Sequence, residues 1–147
     1  MAAGNFIPYR SFVLKTARQE FDFLGATIQA LLANVGYTPN VATHDALDDV
    51  TANEIADAGY ARQTLGGKTI AVDGSGRTVW DANDVDFGNA VTLAAKYMIL
   101  FLSTGTPATS WLMGYVDLND GVGSNVQSTN SDFDVGFNAA GIYRITP

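Results

Sequence analysis

The chain has 147 residues, a formal net charge of −7 and no cysteine. The missing cysteine excludes disulfides, cysteine-zinc sites and thiol nucleophiles together. The eight Lys and Arg are scattered instead of forming the concentrated basic face that a nucleic-acid backbone requires, so no nucleic-acid partner is expected.

Hydrophobic residues make up 47% of the chain and charged residues 16%. That is ample for a core, with charge below the roughly 25% usual for soluble domains, which points to an outer face covered by another protein. The length suits one domain. The longest apolar run, residues 97–102, falls far short of the roughly 20 residues that span a bilayer. Residues 1–10 lack the basic start and long apolar core of a signal peptide. No membrane partner is expected.

Residues 1–9, with Gly4, Asn5 and Pro8, show no periodicity and are expected to form an N-terminal arm. Phe6 and Ile7 are apolar, which a freely solvated tail does not need. Phe12, Val13 and Ala17 fall near one face of a short helix over residues 9–18, although Phe12-Val13-Leu14-Lys15 suits a strand equally well. From Glu20 the period shortens to two, and Phe21, Phe23, Thr27, Gln29 and Leu31 predict two strands bent at Gly25. Residues 36–40 are a turn cluster, after which Thr43, as N-cap, opens a helical turn through His44, Asp45, Ala46 and Leu47.

Residues 51–55 and 63–65 flank a corner at Gly59. Residues 68–72 and 77–81 alternate around Asp73-Gly74-Ser75-Gly76, the clearest hairpin in the chain. Residues 90–103 predict one long strand buried on much of both faces, which returns through a turn at residues 104–107 into a strand over residues 111–118. Residues 119–131 predict a loop, Phe133, Val135 and Phe137 alternate, and residues 142–145 close the fold. This spacing of strands and turns defines a mainly β, single-domain β-sandwich (jelly-roll-like), with one or two short helical turns. The expected division is residues 1–19 as arm and short helix, and residues 20–147 as the sandwich.

Chemistry is sparse. His44 is the only histidine, sits in a polar turn and has no nucleophile motif to serve. It is expected to be solvent-exposed or cap-associated. The acidic stretch Asp117 to Gly121 partly matches a calcium loop, but its glycine is one place early and Ser128 stands where a closing glutamate belongs. Gly66-Gly67-Lys68-Thr69 ends like a phosphate loop, yet Arg62 occupies the position of the required earlier glycine. Trp80 and Trp111 are expected to pack in the core or on a sheet. The reading is therefore not an enzyme, with no catalytic residues, no cofactor and no metal.

Several segments together resemble a family of small phage virion proteins, structural, decoration or cement proteins of the particle. They are Ala26-Thr27-Ile28-Gln29-Ala30-Leu31-Leu32, Tyr37-Thr38-Pro39-Asn40, Asp48-Asp49-Val50-Thr51-Ala52-Asn53-Glu54-Ile55 and Gln63-Thr64-Leu65-Gly66-Gly67-Lys68-Thr69. Asp81-Ala82-Asn83-Asp84-Val85, Thr104-Gly105-Thr106-Pro107, Leu112-Met113-Gly114-Tyr115-Val116-Asp117 and Phe137-Asn138-Ala139-Ala140-Gly141-Ile142 continue the series, so residues 20–147 are covered in order.

The resemblance implies a virion component on the capsid exterior, made in the host cytoplasm. It would bind the major capsid protein, bridge neighbouring capsid subunits and self-associate as a small symmetric oligomer. The alternative is a tail- or fibre-associated or host-glycan-binding structural module. Phe6, Ile7, Pro8 and Tyr9 are the candidate capsid-interaction residues, carried on an arm that either orders on docking or adds a strand to a neighbour's sheet edge.

Overall fold

The structure, a computed structural model, describes residues 4–147 and is mainly β. Its largest unit is a five-stranded antiparallel sheet. In spatial order this runs β1 (Phe6–Pro8), β9 (Leu112–Asp117), β8 (Tyr97–Leu102), β2 (Ile28–Ala33) and β3 (Gln63–Thr64). A three-stranded sheet is ordered β12 (Tyr143–Ile145), β5 (Thr78–Asp81) and β4 (Thr69–Val72). Two short ribbons pair β6 (Val85–Asp86) with β11 (Asp134–Val135), and β7 (Ala94–Ala95) with β10 (Val126–Gln127). The sandwich-like class expected from the spacing is the one observed.

The period of two explains why the central strands are apolar throughout. Met98, Leu100 and Leu102 of β8 enter a large core with Ile28, Ala30 and Leu32 of β2, closed by Trp80, Phe87, Phe133 and Val135. Ile99 and Phe101 point the other way, into a smaller core with Leu31, Ala33, Tyr37, Leu47 and Val50. A sheet covered on both faces has no polar face to alternate with. The second cover is the segment after β2, held by two 3-10 turns, Leu47–Asp49 and Thr51–Asn53. The helical turn expected at residues 43–47 thus begins later. It is capped by Asp49, whose Oδ2 accepts from the Asp45 and Ala46 N–H groups at 2.8 and 3.3 Å.

The β4–β5 hairpin is where the alternation placed it, in register from Thr69↔Asp81 to Val72↔Thr78. Its turn differs in detail. Gly76 N–H donates to Asp73 O, and the positive φ, 78°, is at Gly76. The second glycine therefore supplies the left-handed residue.

Four expectations are corrected. Residues 1–3 of the expected arm lie outside the described residues, but residues 6–8 form β1 in register with Val116, Tyr115 and Gly114. Tyr9 is fully buried, so this segment is ordered without any partner. Nor is it separate from the sandwich. In α1 (Arg10–Ala17) the Phe12 ring packs edge-on against Phe21, Trp80 and Tyr143 at 4.9, 5.5 and 5.2 Å. Deleting residues 1–9 would therefore uncover β9 instead of leaving the fold intact.

The strand expected at residues 21–23 is a turn. Asp22 accepts from the N–H groups of Gly25 and Ala26, while Phe21 and Phe23 are both buried. The single strand expected over residues 90–103 is broken at Lys96, whose N–H and C=O bond Ala33 O and Leu118 N.

Candidate functional site

Strand β1 carries Phe6, Ile7 and Pro8, three of the four residues singled out from sequence, with Tyr9 following at the start of α1, and pleating sends the three to opposite sides. Phe6 and Pro8 line a groove of about 310 Å³ whose far wall is Phe137, Asn138, Tyr143 and Arg144. The Phe6 ring lies over Gly114, and Tyr143 meets it edge-on at 6.2 Å. Ile7 points to the other side and is 39% exposed. It sits opposite Tyr115 in the register, and Tyr97 packs edge-on to Tyr115 at 5.7 Å. Tyr9 is not a surface group at all.

Tyr9 instead begins a buried hydrogen-bond chain. Its hydroxyl lies 2.7 Å from that of Tyr37, which lies 2.8 Å from His44 Nδ1. The Asn40 N–H also approaches Nδ1, at 3.4 Å. A backbone N–H can only donate, so Nδ1 is the acceptor and the ring proton sits on Nε2. Tyr37 then donates to His44, and Tyr9 donates to Tyr37. Burial raises both phenols, Tyr37 to about 12 and Tyr9 further. His44 is half-buried and stacks on Tyr37 at 5.5 Å. It anchors a core-side chain instead of standing in solvent, a role that depends on Tyr9 arriving from β1 and that no local motif announces.

The other polar constellations are tied into the scaffold. Glu54 takes a bidentate pair from Arg62 at 2.8 and 2.6 Å and a bond from the Tyr60 hydroxyl at 2.7 Å. Tyr60 in turn accepts from the Leu32 N–H at 3.1 Å, which fixes the entry of the β2–β3 edge.

In the acidic loop after β9, Asp117 is bound by Lys96 Nζ and by the Asn119 and Gly121 N–H groups. Burial raises its pKa, but these donors outweigh it and hold the carboxyl below its ordinary value. Both carboxylate oxygens are therefore occupied by protein donors. Asp134 and Asp86 face each other directly across the β6–β11 ribbon. Partial desolvation and the Asp86 charge raise Asp134. Among the described residues no group of three or more His, Asp or Glu is arranged to hold a metal ion. Trp80 is buried in the large core, and Trp111 is half-buried beneath the Lys15 ammonium at 3.8 Å.

What the site offers is a paired edge strand with an exposed isoleucine beside two half-buried tyrosines, and a groove behind it. Comparisons with protein-family models, with curated proteins and with solved structures found no match.

Proposed function

We propose that the chain is a structural subunit of a phage particle, a decoration protein that docks on the assembled shell and bridges its subunits. The observation that carries this reading is β1 itself: an edge strand, ordered in the isolated chain, with Ile7 39% exposed next to Tyr115. Aromatic anchors beside an aliphatic side chain are what buried interface centres are made of. The pre-ordered strand avoids the entropy of folding on contact. The resemblance of the segments within residues 26–142 to small phage virion proteins supports the same reading. A subunit that binds only the assembled shell stabilises it by mass action.

Ile7→Glu tests this directly. Ile7 belongs to neither hydrophobic core and is 39% exposed, so the variant is expected to keep its circular dichroism and melting temperature while its occupancy on purified particles falls at least tenfold. Unchanged occupancy removes β1 from the docking face and the main structural support from the proposal.

A further inference from the structure

Sheet edges invite pairing, and those of this fold are unequally protected. On β1, Tyr9 N–H bonds Met113 O, and alternation then turns Phe6 and Pro8 outward. Pro8 has no N–H to offer. Strand β3 is two residues long, and β12 is three. Strand β4 differs. It has four residues, all exposed, with no proline and no bulge.

Its bonding is fixed by the hairpin. Asp73 N–H donates to Arg77 O at 2.9 Å, so Thr69 and Ala71 bond to β5, while Ile70 and Val72 turn their N–H and C=O groups to the open edge. The side chains are equally uncovered. Ile70 is 37% exposed and Val72 71%. Both project from the core-facing side, in the rows of Trp80 and Thr78 respectively. Ile145, also paired with Thr78, is 41% exposed although Trp80 in the next row is 5%. The small sheet thus overhangs its own core by one row. Beneath the β4 edge lies an open pocket of about 440 Å³, lined by Phe21, Phe23, Leu24, Ile70 and Trp80.

We propose that β4 pairs antiparallel with β4 of a second copy about a two-fold axis at Ala71, joining two three-stranded sheets into one of six strands. Three observations select a second copy as the occupant. The open groups sit on residues two apart, so Ile70 of each copy meets Val72 of the other and every outward N–H and C=O is matched. The same register sets Val72 of each copy over the pocket beneath Ile70 of the other, which covers the Val72 end of the overhanging row. No like charges come directly opposite: Thr69 faces Asp73, whose carboxylate is already paired with Arg77 at 2.7 Å. The interface is isologous and closed, as a dimer requires. It uses the sheet edge opposite β12, the strand whose Tyr143 meets Phe6, and needs no shell, so its success or failure is independent of the particle reading.

The register has a covalent test, because the chain has no cysteine of its own. Ala71 meets Ala71 as a non-hydrogen-bonded pair, with Cα atoms about 4.5 Å apart, inside the range a disulfide spans. Ala71→Cys is expected to form a disulfide dimer under mild oxidation at least tenfold faster than Ser75→Cys at the exposed hairpin tip. The unmodified chain should sediment as a dimer over a concentration series. Val72→Pro removes only an outward N–H, and Val72→Lys places a charge over the pocket. Both should be monomeric with unchanged circular dichroism, the lysine variant covering the case in which proline disturbs the hairpin. A chain that stays monomeric at every concentration, or Ala71→Cys oxidising no faster than Ser75→Cys, overturns the proposal.

Discussion

Phe6 and Gly114 share one volume: a Cβ on Gly114 would stand 2.2 Å from Phe6 Cζ and 2.6 Å from Ile7 O. The absent side chain of one strand is the seat of the next strand's aromatic ring. Gly114→Ala should therefore push β1 off β9 and cost about 1–3 kcal/mol, the usual cost of overpacking. Phe6→Ala in the same chain should recover part of that loss. Urea unfolding of the two single variants and the double variant measures the coupling, and additive losses would show that the ring does not occupy that space.

The Tyr9–Tyr37–His44 chain gives a second test. Tyr37→Phe strands the Tyr9 hydroxyl, which is fully buried, and should cost about 1–3 kcal/mol at neutral pH. Both phenols are raised in the fold. A raised folded pKa means stabilisation that is complete below the ordinary value near 10 and lost as pH rises through the folded value. Stability of the parent chain should fall above about pH 10, and less steeply in Tyr37→Phe. Melting temperatures from pH 7 upward decide it.

Lys96 is 3% exposed and its ammonium bonds Asp117. Lys96→Met should destabilise the fold at neutral pH. The loss should be smaller than the roughly 3–5 kcal/mol of breaking a fully buried pair, because the Asp117 side chain keeps 24% exposure. Asp117 is depressed in the fold, so its contribution is present above the ordinary carboxylate value and lost as pH falls through the folded one. The gap between variant and parent should narrow in acid. A gap constant with pH would assign the loss to packing alone.

Helix α1 ends with Glu20 N–H on Lys15 O and Gln19 N–H on Thr16 O, with Gln19 at a φ of 62°. That bonding pattern favours glycine at the left-handed position. Gln19→Gly should stabilise the chain by about 0.5–1 kcal/mol, visible as a higher urea midpoint at unchanged slope.

What the sequence discloses follows locality. The β4–β5 hairpin and the β8–β9 pair were legible because alternation and turn chemistry lie within a few residues of each other. Helix α1 was legible only in part, because Phe12-Val13-Leu14-Lys15 suits a strand as well as a helix. Strand β1 was not: its partner Val116 is over a hundred positions away, and Gly4, Asn5 and Pro8 conceal three residues of strand. Phe21 and Phe23 mimic a strand because a turn held by Asp22 sends both rings inward. The two-sided burial of β8 was visible in its apolar run. That residues 34–55 supply the second cover, and that Tyr9 meets His44 beneath it, are tertiary facts without a local signature. Of the four candidate site residues, Ile7 reaches the surface side, Phe6 and Pro8 line a groove, and Tyr9 belongs to the core.

The most direct test of the proposed role is stoichiometry in purified particles, read by quantitative gel densitometry against the major capsid protein. A decoration subunit should be present at close to the number of capsid subunits. A ratio of only a few copies per particle would place the chain at the tail or portal and contradict the decoration role.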